Sequence, residues 1–394
     1  MLETLKPTPP DRILEVLNLF RADPRTDKLD LGIGVYKDAA GRTPVMRAVK
    51  AAEAKLLREQ DSKAYVGILG DPEFVAAMAE LALGDAVPRD RLSGGQTPGG
   101  TGAIRLLLEL VQRAAPGATV WISDPTWPNH PAIAGYLGIP TRSYRYLDAA
   151  TGGVDFAGMM RDLVEAKPGD VLLLHGCCHN PTGANLSPEE WREVTDFLLA
   201  KGVVPLVDLA YQGFGDGLEA DVAGLRQMAA AVPELLLATS CSKNFGVYRD
   251  RVGAAFVLSA SPQAAEVTKS NVGSLGRLNY SFPPDHGAKV VSLILGDREL
   301  RADWMAELEA MRSGMLEIRQ GLADALRRAT NSDRFDFVAA HRGMFSRLGL
   351  SPEQVARLRD EHGIYMVGDS RVNIAALKAD RLETVAQAIV SVSS

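Results

Sequence analysis

Six short apolar runs, separated by amphipathic helical patterns, constrain the fold of this chain more than any other feature. They are TVWISD from Thr119, TRSYRY from Thr141, VLLLHG from Val171, VVPLVD from Val203, LLLATS from Leu235 and VGAAFVLS from Val252. Several are apolar nearly throughout, the pattern of strands covered on both faces. Between them, TGAIRLLLELVQRA sets Ile104, Leu107, Leu108 and Val111 on one helical face. In SPEEWREVTDFLLAKG, Ser187 and Glu190 have capping-box spacing, Pro188 takes the first helical position and Gly202 is placed to end the helix. This alternation predicts an α/β fold with a mostly parallel sheet.

The pattern changes after residue 297. Arg298 to Ala329 contains no proline and reads as one long helix, with Gly314 as the candidate break. About thirty helical residues span roughly 45 Å, enough to leave one domain and enter another. Strands are expected near Phe335 to Ala339 and Arg371 to Ala375, and a helix near Arg12 to Phe20. The expected division is a large domain at residues 45–300 and a smaller α+β domain built from 1–44 and 301–394.

A length of 394 residues suits two such domains. The formal net charge of -6 argues against nucleic acid or an anionic membrane as the main partner. No secretory pattern opens the chain and no run of eighteen apolar residues exists, so no export and no membrane span are expected. Cys177, Cys178 and Cys241 are a sparse, odd set that fits a reducing compartment, the cytoplasm.

Chemistry concentrates in a few segments. SCSKNFGVYRDRVGA follows a strand and sets Ser240, Ser242 and Lys243 at its end, with Arg251 eight residues on. Open α/β sheets collect ligands at the carboxyl ends of their strands. A lysine there can form an imine while the hydroxyls and the arginine hold a phosphate; the plainer reading is a solvated lysine and arginine. VVPLVDLAYQGFG ends an apolar strand with Asp208 and carries Tyr211 three residues later. A buried carboxylate needs a partner, and a protonated pyridine nitrogen would serve; a helix N-cap is the alternative. In HGCCHNPTGANLSPEE, Asn180 sits in a turn, and its amide can donate to a ring oxygen. Cys177, Cys178 and His179 lie beside it; adjacent strand residues point to opposite faces, so no metal is expected. GGQTPGGTGAIRLLLEL runs a glycine-rich stretch into a helix, so Gly100, Thr101 and Gly102 can offer backbone N–H groups to an anion. Trp127, between prolines in SDPTWPNHPAI, can stack on a flat ring or simply pack, and His130 can support Asp208. Arginine grips carboxylates with two parallel hydrogen bonds, and an amino-acid enzyme needs one such fork, but residue chemistry alone does not single out Arg371 or Arg277 from the other arginines.

With these segments in hand, the chain resembles the class I pyridoxal-phosphate-dependent aminotransferases of the aspartate and aromatic amino acid branch. The likeness runs from LDLGIGVYKD through KAYVGILG, TPGGTGA, SDPTWPNH, HGCCHNPTG, DLAYQGFG, SCSKNFG, RLNYSFPPDHGA and RGMFS to GIYMVGDSRVNIAAL. It implies fold type I, with a seven-stranded, mostly parallel sheet in the large domain, and a homodimer with shared active sites. It implies pyridoxal 5'-phosphate as cofactor, joined to Lys243, with Asp208 on the pyridine nitrogen, Tyr211 and Asn180 at the ring oxygen and Trp127 on the ring. Gly100, Thr101, Ser240, Ser242 and Arg251 would hold the phosphate, and Tyr65 would reach that of the neighbouring subunit. Arg371, with Gly34 nearby, would bind the substrate α-carboxylate, and Arg277 would cross the interface to a distal carboxylate. Lys243 would act as general base and acid in a ping-pong exchange with 2-oxoglutarate or oxaloacetate.

Within that family, Val35, Lys37, Thr43 and Thr101 look aspartate-like, whereas Ala64 and Phe282 depart from the polar residues usual there. HGCCHNPTGAN, AYQGFGDGLE and RADWMAELEAMRSGML are most similar to the bacterial aromatic enzymes. The expected substrates are therefore tyrosine, phenylalanine and tryptophan, and also aspartate; a dedicated aspartate aminotransferase is the alternative. β-Decarboxylation or C–S lyase chemistry on the same cofactor would proceed without a second oxo acid. A non-catalytic binding protein on this fold would be expected to lose Lys243 or Asp208, and both are present. A nicotinamide dehydrogenase would rest on the glycine-rich stretch alone.

Overall fold

The structure is a computed structural model that describes residues 1–8 and 12–393. Eleven strands are described: β1 (Leu29–Asp30), β2 (Leu92–Pro98), β3 (Val120–Asp124), β4 (Thr141–Arg145), β5 (Val171–His175), β6 (Val204–Leu209), β7 (Leu235–Ser240), β8 (Val252–Leu258), β9 (Phe345–Arg347), β10 (Ile364–Tyr365) and β11 (Arg371–Asn373). Seven of them form one sheet in the order β2-β8-β7-β6-β5-β3-β4. The neighbours from β7 to β4 pair in parallel, and β8 runs antiparallel to both β7 and β2. β6, β7 and β8 are buried almost from end to end, because helices cover both faces. All six apolar runs are strands of this sheet.

The seventh strand, β2, has the sequence LSGGQTP and carries little apolar signal. Its glycines answer to a neighbour: a Cβ at Gly94 would lie 2.6 Å from the Phe256 ring on β8. The strand leads directly into the helix Gly99–Ala114. The helix Pro188–Lys201 forms as its caps dictate, with the reciprocal Ser187–Glu190 box closed and Gly202 left-handed at the C-cap.

Two small sheets lie apart from the large one: β1 pairs with β10 in parallel, and β11 with β9 antiparallel. Around them Leu31, Leu322, Leu326, Phe335, Leu358, Val372 and Ile389 form a separate apolar cluster. The helix Arg298–Thr330 joins this cluster to the main core. Its Trp304, Leu308 and Met311 pack beside the large sheet, and its Leu322, Ala325 and Leu326 pack among the small sheets. It does not break at Gly314, where a side chain would meet open space. The strand expected near Phe335 to Ala339 is instead a short helix, Phe337–Ala340, and the strand follows at Phe345–Arg347. A brief apolar run fits either periodicity, and the turn at Gly343 with φ 78° delays the extended segment.

Candidate active site

The parallel strands β7, β6, β5 and β3 are neighbours, so their carboxyl ends share one edge of the sheet. Chain that follows those ends carries Trp127 after β3, Asn180 after β5 and Lys243 after β7, and Asp208 is the penultimate residue of β6. β8 begins at that same edge, with Gly253 paired to Ser240, which sets Arg251 beside the end of β7.

One end of the site is an anion cradle. Gly99, at φ 72°, opens the helix Gly99–Ala114, and a Cβ there would lie 2.6 Å from Arg251 Nη2. A Cβ at Gly100 would come within 3.1 Å of Ser240 Cβ. The missing side chains let the guanidinium and a serine close on a helix N-terminus whose first-turn N–H groups have no intrahelical acceptor. Arg251 Nη1 donates to the Tyr248 carbonyl at 3.0 Å and lies 3.5 Å from Ser242 Oγ. Among the described residues no carboxylate pairs with Arg251. Helix terminus, guanidinium and hydroxyls together suit a phosphate dianion.

At the centre, Lys243 Nζ stands 4.8 Å from the centroid of the Tyr211 ring. Burial, and the neighbouring Arg251 and Arg371, lower its ammonium to about 8 against the pull of Asp208. Asp208 is buried, and its Oδ2 accepts from His130 Nε2 at 3.0 Å. Burial pushes this carboxyl up, but the His130 hydrogen bond and the nearby positive charge outweigh it and hold it below the usual range. Asp208 is therefore an anion, and among the described residues no donor reaches its Oδ1. Behind it, Thr126 Oγ1 lies 2.9 Å from His130 Nδ1 and 3.4 Å from His175 Nε2. Burial, then the neighbouring His130, drives His175 down to about 3, so it stays neutral. Asn180 Nδ2 lies 3.5 Å from the Tyr211 hydroxyl, and burial raises that phenol well above its ordinary range.

The other end is closed by the small sheets. Arg371, first residue of β11, is buried; it donates to the Gly32 carbonyl at 2.8 Å and lies 3.4 Å from Asn180 Oδ1. Its Nε is buried without a partner. Its guanidinium lies 4.3 Å from the Phe345 ring centroid, and that ring approaches Gly34 so closely that a Cβ there would be 2.9 Å away. A buried arginine with an unpartnered Nε suits a carboxylate.

These three parts meet in one cavity of about 260 Å³. It gathers Lys243, Asp208, Tyr211, Trp127, Asn180, Gly100, Thr101, Ser240, Ser242, Arg251, Gly34 and Arg371. Three cations face one carboxylate there, an excess that suits a phosphate and a substrate carboxylate. Tyr65 and Arg277 lie outside it. Tyr65 is 82% exposed and stacks on Phe282 at 4.5 Å. Arg277 is exposed, bonds Ser281 and lies 5.2 Å from the Phe282 ring. Sequence reasoning missed Ile13, His175, Tyr248 and Phe345 as lining residues. Only His175, at the end of an apolar strand, offered a signal like that of Asp208; the others are ordinary wall residues.

One geometric premise is corrected. Cys177 and Cys178 lie beyond β5, and Cys178 has φ 51°, so the rule that neighbouring side chains point apart does not hold. Their sulfurs and a carboxylate oxygen of Asp221 lie within 4.8 Å of one another.

Residues 26–389 match the family model for class I and II aminotransferases. The chain is 57% identical to an aromatic-amino-acid aminotransferase of Paracoccus denitrificans over the whole of both chains. It is 44% identical, again over the whole of both, to an aspartate aminotransferase of Escherichia coli. It superposes with a TM-score of 0.97 and 40% identity, over all of both chains, on an aromatic-amino-acid aminotransferase from Burkholderia pseudomallei covalently bound to pyridoxal phosphate. Among the described residues no helix is long and apolar enough to cross a membrane.

Proposed function

The chain belongs to the class I and II aminotransferase family, and on that premise we propose that it moves the amino group of tyrosine, phenylalanine, tryptophan and aspartate to 2-oxoglutarate or oxaloacetate. The observation that carries this reading is one cavity that holds a partly buried lysine, an ionised carboxylate, a phosphate cradle and an arginine with an orphaned Nε.

These donors fit pyridoxal 5'-phosphate. When bound, it supplies an electron sink for the charge left when a substrate α-proton is removed. Arg251, Ser240, Ser242, Gly100 and Thr101 would hold the phosphate. Asp208, fixed by His130, would keep a ring nitrogen protonated through its remaining oxygen. Tyr211 and Asn180 would hydrogen-bond the ring oxygen, and Trp127 would cover the ring. Lys243, whose pKa of about 8 leaves an accessible neutral amine, would take the proton from the substrate α-carbon and deliver it to the cofactor carbon that keeps the amino group. Arg371 grips the α-carboxylate beside Gly34. The first oxo acid leaves before the second binds, which gives ping-pong kinetics.

The remaining two residues belong to a homodimer in this proposal. Tyr65 reaches the phosphate of the second copy, and Arg277 binds the distal carboxylate of a dicarboxylic substrate there. Phe282, against Arg277, adds apolar surface for a ring. The aromatic preference is supported by the higher identity to the Paracoccus denitrificans relative than to that of Escherichia coli. A division into a large and a small domain is supported by the two apolar clusters that the helix Arg298–Thr330 joins, although Trp304, Leu308 and Met311, beyond the proposed boundary at 300, pack with the large one. The cytoplasm is the proposed compartment, in keeping with three free, buried cysteines.

The test is kcat/KM for aspartate and for phenylalanine in the wild type and in Arg277→Ala. Loss of a buried charge-assisted contact costs about 2–5 kcal/mol, so aspartate should fall by roughly thirty-fold or more while phenylalanine changes little. Equal losses would remove Arg277 from the distal-carboxylate role.

A further inference from the structure

The loop after β5 brings together groups that transamination does not use. Cys177, Cys178 and Asp221 are all buried, with relative exposures of 6%, 2% and 7%. The left-handed turn at Cys178 lets both sulfurs approach Asp221, so that two sulfurs and one carboxylate oxygen fall within 4.8 Å of each other. Asp221 is held in place by backbone alone: Oδ2 accepts from the N–H groups of Gly213 and Gly215 at 2.8 and 2.9 Å, and Oδ1 from Asp216 at 2.7 Å. No lysine, arginine or histidine among the described residues forms an ion pair with it. The surrounding chain is pressed tightly on the cluster. A Cβ at Gly343 would collide with Cys178 Cβ, and one at Gly215 would meet both Asp221 and, at 3.2 Å, Cys178 Sγ. Cys177 and Asp221 also line a second cavity of about 360 Å³, which leaves room for a fourth ligand such as water.

We propose that Cys177, Cys178 and Asp221 bind one soft, thiophilic divalent cation per chain. Two thiolates and a carboxylate select zinc or cadmium over hard ions that demand oxygen shells. A zinc–sulfur bond of about 2.3 Å in a tetrahedron sets the two sulfurs about 3.8 Å apart, inside the 4.8 Å limit within which the three ligand atoms already lie. Each thiol gives up one proton as its sulfur binds the ion. The hydrogen bond to Cys178 and then burial hold the Cys177 thiol protonated at neutral pH, and burial does so for Cys178. The site is distinct from the transamination pocket, although His175 borders both cavities.

Cadmium is the probe, added to metal-free buffer with the holoenzyme and followed by its ultraviolet thiolate charge-transfer band and by equilibrium dialysis. One ion per chain is expected in the wild type and in Cys241→Ser, whose sulfur lies apart near Met78. Cys177→Ser and Cys178→Ser should bind at least about tenfold more weakly, and Asp221→Asn should also bind more weakly. Retained transamination certifies each variant as folded. A second measurement needs no variant: phenylarsine oxide condenses with two neighbouring thiols and releases water, so one equivalent should displace the cadmium. Failure of the wild type to bind, unchanged binding in the two serine variants, loss in Cys241→Ser instead, or cadmium retained against the arsenical would each overturn the assignment.

Discussion

Lys243 and Arg277 both present a cation for chemistry, but the chain houses them differently. Lys243 stands at the inner edge of the sheet, where burial and two arginines have already lowered its proton affinity to about 8. Arg277 stands exposed near the end of the helix Pro262–Asn279, tied among the described residues to Ser281 and the Phe282 ring. An exposed ion pair contributes about 0–1 kcal/mol, whereas a desolvated one is worth several times that. In the proposed function, Lys243 would be ready for its task within a single chain, whereas Arg277 would discriminate between substrates only once another surface covered it.

The largest effect should come from the inner side. Lys243→Ala is expected to lower kcat by about 10²–10⁴-fold for aromatic and dicarboxylic substrates alike. Borohydride reduction of the wild-type holoenzyme followed by peptide mapping should mark the SCSKNFG peptide, and the variant should show no mark. A variant that kept its turnover would dissolve the contrast, because the inner lysine would then be no more essential than the outer arginine.

The next effect depends on pH. In cofactor-free protein only the neutral Lys243 amine has a lone pair to offer an aldehyde. Its folded-state pKa lies below the ordinary 10.5, so the neutral form dominates above about 8. The second-order rate of pyridoxal phosphate capture should rise about tenfold per pH unit below that value and level off above it, in the manner of a single titrating nucleophile. A rate still climbing toward pH 10.5 would mean that the sheet edge does not depress the lysine. Arg277→Ala should leave this profile unmoved.

The smallest effect bears on how the outer side works. Neither Lys243→Ala nor Arg277→Ala protein should turn over aspartate well. If sites are shared across a two-fold axis, unfolding and refolding them in equal mixture should restore about a quarter of wild-type aspartate activity, from the one intact site in each hybrid dimer. No recovery, in a mixture shown by mass spectrometry to contain hybrids, would place Arg277 outside the partner's site.

The same contrast explains what could be read from sequence. β5, β6 and β7 were legible because strands covered on both faces leave unbroken apolar runs, and the chemistry at their ends stands out against that background. β2 was not legible: its two central glycines follow from the bulk of neighbouring strand and helix residues, Phe256 and Val272 among them, which its own sequence does not announce. The two-residue strands β1 and β10 are too short for any periodicity to show. Within the site, Lys243, Asp208 and Arg371 were legible by residue type, whereas Ile13 and Phe345 are apolar wall and resemble any other core residue. The geometry of the pair Cys177–Cys178 was not legible, because one left-handed residue undoes the alternation assumed for a strand.

The unbroken helix Arg298–Thr330 makes the enzyme's two ends mechanically interdependent. Thirty-three residues form a rod about 50 Å long, with its first half gripped by one core and its second half by the other. Arg319, on the far half, is fully buried and donates to the carbonyls of Val338, Gly343 and Phe345, so it grasps the bend that carries the Phe345 ring against Arg371. A tilt of this rod by about 5° would sweep its far tip through about 4 Å. A continuous run of contacts thus leads from the bend beside Arg371 along the shaft to Trp304, whose indole N–H holds the carbonyl of Asn244, next in sequence to Lys243.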